Sequence, residues 1–556
     1  MSFAEHPHHK VRSKHLVYRH GQRPLHEVLC EHAKSRPNQV ALVWYGREIT
    51  FVELADWVNR FAVFLRSIGV RRGHRVALFL HNSPQYFIAH YAIQMIGAIV
   101  GPCSPSFKAL ELAYQVSDMD AEVIIASDAL YPVVAQARAE TKLSRIIVTH
   151  YGDLLPSEPT WRCPDELCSE RLATPDAMDL FEAIAGVPAG AVCQEEAVGL
   201  DDVCLLVYTS GTTGRPKGAM LSYRNALFKT AASAQANGIY DDDKILSVMP
   251  LSHIAGMLMG LTIPIYVGCP VVVLYRFDPV GVLEAIARAR TTWWYSTAPM
   301  NVALMNTAGV GEYDLSSLRI NVCTSFGVQL TEEIADKWRR FTGGCPVYEA
   351  AYGLSETHTA DTYMPAEAVK WGTQGKPTYE TDIRIVDPGA GVDLPIGEQG
   401  EIAVRNPGVF RGYWRNAEAT SRTLREGWVY TGDIGRLDGD GYLTFLGRIK
   451  ELMKVSGFSV FPEDVEALLL QCPDVAQVAV IAVPDETRGE VVKAFVVLHP
   501  KARGVVDAAQ LTEWAKLHMA SYKVPRQFEF REDLPKSSTG KVLRRMLLES
   551  ADDRGH

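Results

Sequence analysis

The chain has 556 residues, 47% of them hydrophobic and 22% charged, with a formal net charge of −9. That length exceeds what one hydrophobic core organises, so two or more domains are expected, and the composition is that of an ordinary soluble globular protein. The acidic balance argues against a general nucleic-acid binder, which would carry a basic stripe, but leaves room for a local basic site for an anionic cofactor.

The first fifteen residues, "MSFAEHPHHKVRSKH", are polar and lack the apolar run of a secretory signal; His6, His8 and His9 read as part of a solvated tail. "HRVALFL" (74–80) then predicts a strand, 85–99 a helix and "GPCSP" a loop. Further strands are expected at "AEVIIAS", "SRIIVTH" and "KILSVMP", and a helix with a basic last turn at "PVGVLEAIARAR". From Ile254 to Tyr275 there is no charge, long enough to suggest a membrane span, but the glycines and prolines inside it favour a buried helix, a turn and a buried strand. This alternation predicts parallel sheets with helices packed on them. After Tyr379, "TDIRIVD", "GEIAVRN" and "GYLTFLG" predict a small antiparallel sheet or barrel. From Gly447 the pattern becomes that of a small α+β domain. The ten cysteines are scattered; the closest pair, Cys163 and Cys168, has four residues between its members, in a polar stretch. No Cys/His spacing suits structural zinc, so reduced thiols and a cytoplasmic location are expected.

The chemistry-bearing stretch is "YTSGTTGRPKG" (208–218), a loop rich in glycine and hydroxyls following the apolar run Val203–Val207. Glycines let backbone approach a phosphate closely, and hydroxyls donate to it. It is not a Walker A loop, because Pro216 precedes Lys217 and Gly218 follows; "SSTGKV" near Lys541 fails the pattern as well.

Taken with "PLSHIAG" (250–256), "YGLSET" (352–357), "YTGDIG" (430–435), "GRIKELMKVSGFSVFPEDVE" (447–466) and "LPKSSTGK" (534–541), the loop resembles a motif of the adenylate-forming superfamily: acyl-CoA synthetases, luciferases and the adenylation domains of peptide synthetases. The resemblance runs from about Leu25 to Leu547 and includes "GREITFVELA" (46–55) and "GAIVGPCSP" (97–105). It implies a large N-terminal domain (1–447) of parallel-type sheets with a small barrel-like subdomain, a hinge at 448–450, and a small mobile α+β C-terminal domain (451–556). The activity it implies is ATP-dependent joining of a carboxylic acid to coenzyme A, through an acyl-AMP, with magnesium.

The roles it implies follow the motifs. Thr209, Ser210, Gly211, Thr212, Thr213 and Gly214 would wrap the β and γ phosphates; Lys217 either adds charge there or stands solvated. Glu356 would hold magnesium, with Ser355 in place of a common threonine, while Tyr352 and the adjoining Gly353 backbone would pack on adenine. Asp433 would accept from the ribose hydroxyls, helped by Arg448. Lys541 would bridge the substrate carboxylate and the α-phosphate. His253 would stand where acyl pocket and thiol channel meet. Around Lys450 the C-terminal domain would swing, replacing Lys541 with the "KVSGF" stretch, in which Lys454 contacts the second step and Gly457 leaves room for pantetheine.

The sequence departs from the family at "CTSFGVQL" (323–330), where Phe326 stands in a position often held by glycine. A bulky group there would narrow the acyl tunnel and favour a short or medium-chain, branched or ring-bearing acid. Ala255, Met257, Trp294, Tyr295, Thr297 and Phe326 are the pocket candidates. No Asp between Ile254 and Tyr275 offers itself to a substrate amine, and the stretch after Lys541 is too short for a carrier domain, so a peptide-synthetase module is not expected. A carrier protein as acceptor, a luciferase-like oxygenase and a non-catalytic nucleotide-binding homologue stay open as alternatives. Nothing requires a membrane, and monomer and homodimer are equally open.

Overall fold

The structure is a computed structural model that describes residues 15–193, 198–209, 216–325, 329–451, 453–455, 458–485, 489–537 and 540–552. Among these residues two seven-stranded sheets form the body. The first runs, in spatial order, Met178–Asp179, Arg145–Thr149, Val123–Ser127, Arg75–Phe79, Ile99–Pro102, Val203–Thr209 and Lys217–Ser222. The second runs Val347–Glu349, Ile320–Thr324, Trp293–Thr297, Ile245–Ser247, Val271–Val273, Val40–Trp44 and Arg47–Thr50. Every pairing in both is parallel except the last of each, which is an antiparallel edge. Central strands such as Val123–Ser127 and Trp293–Thr297 are buried along their whole length. That explains why they are largely apolar with no alternation: a parallel sheet is covered on both faces, so neither side of the pleat needs polar residues.

The early motif "REITFVELA" is a strand running into a capped helix. Thr50 accepts from the Glu53 amide (3.3 Å), and the Glu53 carboxylate accepts from the Thr50 amide (2.8 Å), opening helix Phe51–Ser67. One expectation needs correction, and one is met. The helix predicted over 85–99 spans Pro84–Met95; Gly97 takes φ +70°, and Ile99–Pro102 then pairs with the strand Arg75–Phe79, so the end of the expected helix and the first two residues of the expected loop are sheet. The uncharged run from Ile254 holds a helix in three turns of differing pitch: Ile254–Met257, a π segment Leu258–Thr262, and Ile263–Val267 ended by Gly268 at φ +81°. Gly260 packs so tightly on Ser247 that a Cβ would lie 2.1 Å from its Oγ. No helix of the described residues is long and apolar enough to cross a membrane.

Asp382–Val386, Gly400–Arg405, Trp428–Leu437, Leu424–Arg425 and Leu443–Arg448 make the five-stranded antiparallel sheet. A separate five-stranded sheet contains Phe458–Val460, Met453–Val455, Gly489–Leu498, Val475–Asp485 and Gln527–Phe530, with its own buried apolar cluster and the helices Pro462–Leu469, Ala508–His518 and Arg544–Asp552 around it.

Candidate active site

In sheets of this kind ligands sit beyond the carboxyl ends of the strands. Those ends gather most of the motif residues. Strand Val203–Thr209 delivers Thr209, paired with Lys217, to the mouth of the Gly/Thr loop. Ser210, Gly211, Thr212, Thr213 and Gly214 lie outside the described residues. The Lys217 ammonium sits 4.3 Å from the Tyr413 ring centroid, a cation–π contact. Tyr413 in turn donates its hydroxyl to Glu356 Oε1 at 2.6 Å. Lys217, Tyr413 and Glu356 therefore form one chain, and Tyr413 is a member the sequence motifs did not single out.

Glu356 rides on the 3-10 turn Ser355–Thr357, pinned where its carbonyl accepts from the Phe410 amide at 2.8 Å. The turn is followed by left-handed backbone at His358, Thr359 and Ala360 (φ 58°, 56° and 47°). Left-handed conformation is costly for residues with a Cβ and persists only where the surroundings over-determine it. The surroundings are a fully buried ion pair, Lys229 Nζ to Asp361 Oδ1 at 2.6 Å. Asp361 also accepts from Asn406 (2.8 Å) and Thr357 (2.5 Å). The same tight turn explains Gly353: a Cβ there would lie 2.4 Å from the Ala360 nitrogen.

Tyr352 is buried, its ring stacked on Phe445 with centroids 6.1 Å apart, and its hydroxyl donates to Asp433 Oδ2 at 2.8 Å. Asp433 and Arg448 are cross-strand partners in the antiparallel sheet. Arg448 Nε lies 3.3 Å from Asp433 Oδ1, yet that buried oxygen has no aligned hydrogen-bond donor. A buried carboxylate oxygen without a donor fits a ribose hydroxyl. Burial pushes the Asp433 carboxyl above the usual range, opposed first by Arg448 and then by Tyr352.

Lys541 belongs to a tight turn: its amide donates to Ser537 Oγ at 3.2 Å, and its carbonyl accepts from the Ser537 amide at 2.8 Å. The residue as a whole is exposed. Its ammonium lies within electrostatic reach of Arg448, Glu451 and Asp433, and burial, then Arg448, lowers its pKa. His253 feels Lys541 too. Burial, then Lys541, lowers the imidazole to about 4, so the ring is neutral at pH 7. Its Nδ1 accepts from the Ala255 amide (3.3 Å), capping helix Ile254–Met257 and leaving Nε2 to carry the proton. Arg544, three residues beyond Lys541, ties this turn to three carboxylates: it pairs with Glu451, with Glu463 (3.0 Å) and with Glu466 (2.8 Å). Lys454 is on strand Met453–Val455; Gly457 lies outside the described residues.

Of the pocket candidates, Ala255, Met257, Tyr295 and Thr297 are buried, and Met257 and Thr297 end their elements. The Tyr295 hydroxyl shares a 2.9 Å hydrogen bond with Thr324 Oγ1. Strand alternation puts Trp294 on the opposite face, fully buried against Trp338 with centroids 5.9 Å apart, so it is not grouped with Tyr295. Phe326 lies outside the described residues. Next to Ser325, Glu349 is a buried carboxyl that the motifs missed. It accepts from the Ser325 hydroxyl at 2.5 Å, and burial raises its pKa to about 7. A glutamate ending a strand carries no sequence signal of this kind.

For magnesium, Glu356 offers a hard carboxylate, and among the described residues no group of three or more His, Cys, Asp or Glu side chains clusters to hold a metal by itself. One protein carboxylate with phosphate oxygens is a fitting set for that ion.

Comparison with known proteins agrees with this geometry. The family model of AMP-binding enzymes matches residues 29–414, and the model of the AMP-binding enzyme C-terminal domain matches 464–541. A long-chain-fatty-acid–CoA ligase of Bacillus subtilis (strain 168) is 33% identical over 550 residues, covering 96% of this chain and 95% of that protein. A feruloyl-CoA synthase of Amycolatopsis sp. is 34% identical over 517 residues, covering 92% and 96%. Among solved structures, the anthranilate CoA ligase AuaEII in complex with anthranoyl-AMP superposes with a TM-score of 0.83 at 28% identity, covering 96% of this chain and 98% of that one. ATP-bound MatB from Rhodopseudomonas palustris gives 0.82 at 27%, covering 96% and 99%. The chain belongs to the family of AMP-binding enzymes and is an adenylate-forming acid–thiol ligase.

Proposed function

We propose that this enzyme joins a carboxylic acid to coenzyme A in two steps, forming acyl-AMP and pyrophosphate from ATP, then displacing AMP with the thiol. The observation that carries this reading is the convergence of Lys541, Arg448, Asp433 and His253, drawn from both the large N-terminal part and the segment after the 448–450 hinge. Two domains, 1–447 and 451–556, form part of the proposal.

In this reading Asp433 Oδ1 accepts from the ribose and Tyr352 orients that carboxylate. Thr209 and the loop after it, with Lys217 alongside, hold the β and γ phosphates. Magnesium on Glu356 would supply charge neutralisation at the phosphate oxygens. Lys541 donates to the carboxylate and α-phosphate oxygens as negative charge gathers between them, so the barrier falls through positioning and charge compensation rather than proton transfer. Neutral His253 donates from Nε2 toward the acyl carbonyl. Lys454 and Gly457 serve thioester formation after the hinge turns.

The acid is proposed to be ring-bearing or of short to medium chain. Feruloyl and anthranilate ligases stand among the relatives, and the Tyr295–Thr324 pair adds a polar point to an otherwise apolar set. A long-chain acid is the second reading, supported by the Bacillus subtilis relative.

Incubation with ATP, magnesium, CoA and pooled short, medium, long and aromatic acids, read by the mass of CoA adducts, tests all of this. One dominant aromatic or shorter-chain adduct is expected, with Phe326→Gly broadening the profile to longer acids. Pyrophosphate without any adduct would replace CoA by another acceptor, such as a carrier protein. Neither product, together with no binding of a non-reactive acyl-AMP mimic, would overturn the reading.

A further inference from the structure

We propose that Cys163 and Cys168 form a site of reversible oxidation, closing an intramolecular disulfide when the protein meets a peroxide. The two sulfurs are 3.6 Å apart, with the Cys168 thiol donating to Cys163 Sγ. A covalent bond needs about 2.05 Å, so closure asks for a movement of less than two ångströms.

The segment is built to keep the thiols together. Ahead of them, the Thr160 amide donates to the Tyr45 carbonyl at 2.9 Å, and Trp161 is buried against the Tyr45 ring. Between them lies the 3-10 turn Asp165–Leu167, with Leu167 fully buried and Glu166 paired with Arg276 at 2.7 Å. Beyond them, the Leu172 amide donates to Asp128 at 2.8 Å. Both flanks are therefore pinned, and the turn sets the spacing.

Access separates this pair from the rest. Of the ten cysteines, Cys168 is exposed, Cys163 and Cys30 are partly exposed, and the other seven are buried. Burial, and then Cys168, raises the Cys163 thiol to about 12, so Cys168 is the group that meets the oxidant. Cys168 sulfur attacks the peroxide, taking one oxygen as a sulfenic acid and releasing water. Cys163 sulfur then attacks the sulfenic sulfur, expelling a second water. The two thiols lose two electrons and two protons, and hydrogen peroxide takes them up as two waters.

Both cysteines fall in one tryptic peptide, residues 163–171, so closure is read as the loss of two hydrogens from that peptide. Reduced full-length protein is treated with a small excess of hydrogen peroxide, capped with N-ethylmaleimide and mapped without reductant. The peptide should close at least about tenfold faster than any other cysteine is oxidised, and dithiothreitol should reopen it. Cys163→Ser should leave Cys168 as a sulfenic acid trapped by dimedone, with no loss of two hydrogens. Oxidation of another cysteine first, or passage of Cys168 in the unsubstituted protein to sulfinic acid without closure, would overturn the proposal.

Discussion

Lys541, an exposed residue, and Glu349, a buried one, are ionisable groups with different consequences. Lys541→Ala should lower acyl-AMP formation, measured by ATP–pyrophosphate exchange, by about a hundredfold or more, as expected for removing a charge aimed at the transition state. Thioester formation from supplied acyl-AMP should stay within about threefold; equal loss in both half-reactions would contradict the two-pose account. His253, neutral until about pH 4, should contribute no limb to the pH–rate profile between about pH 5.5 and 8. Glu349 concerns stability. Its folded pKa, about 7, lies above the unfolded value, so the folded state holds the proton more tightly. Stability from this group is full below the unfolded pKa of about 4.5 and is lost as pH rises through about 7. Glu349→Gln should flatten that slope and stabilise the protein at pH 8 by about 1–3 kcal/mol in urea unfolding.

At the scale of elements, the turn after Glu356 shows why the metal-binding candidate depends on residues far from it in sequence. Lys229 comes from helix Tyr223–Ala236, Asn406 from just beyond a strand of the antiparallel sheet, and Asp361 from the turn's own exit. Lys229→Met would leave Asp361 buried and unpaired, at a cost of about 3–5 kcal/mol. Lys229→Met with Asp361→Asn should recover most of that stability in urea unfolding. If the pair also holds Glu356 in place, pyrophosphate exchange in the double variant should stay at least about fivefold below that of the unsubstituted enzyme. "YGLSET" was legible as a motif because its residues are contiguous. The pair holding it was not, because its members are separated by more than a hundred positions and carry no common pattern.

Over the whole molecule, Gly447 packs closely against the segment that follows it. It takes φ +147°, and a Cβ there would lie 2.6 Å from Glu463 Oε2 and 2.8 Å from the Phe461 ring. Gly447→Ala should therefore disfavour this arrangement, lowering pyrophosphate exchange by about tenfold while sparing thioester formation from acyl-AMP. Unchanged exchange would mean that the approach tolerates a methyl group.

The sequence by itself determined the alternation of strands and helices, the parallel body, the antiparallel segment and the family. Each of these rests on local periodicity or on contiguous motifs, which survive in one dimension. Only the tertiary structure decided that Trp294 faces away from Tyr295, that Tyr413 links Lys217 to Glu356, that Tyr352 takes one oxygen of Asp433, and that Cys163 and Cys168 touch. Those facts depend on strand parity at a sheet edge and on contacts between distant segments. The free energy of such contacts comes from burial and partner geometry, and neither is written in the residues on either side.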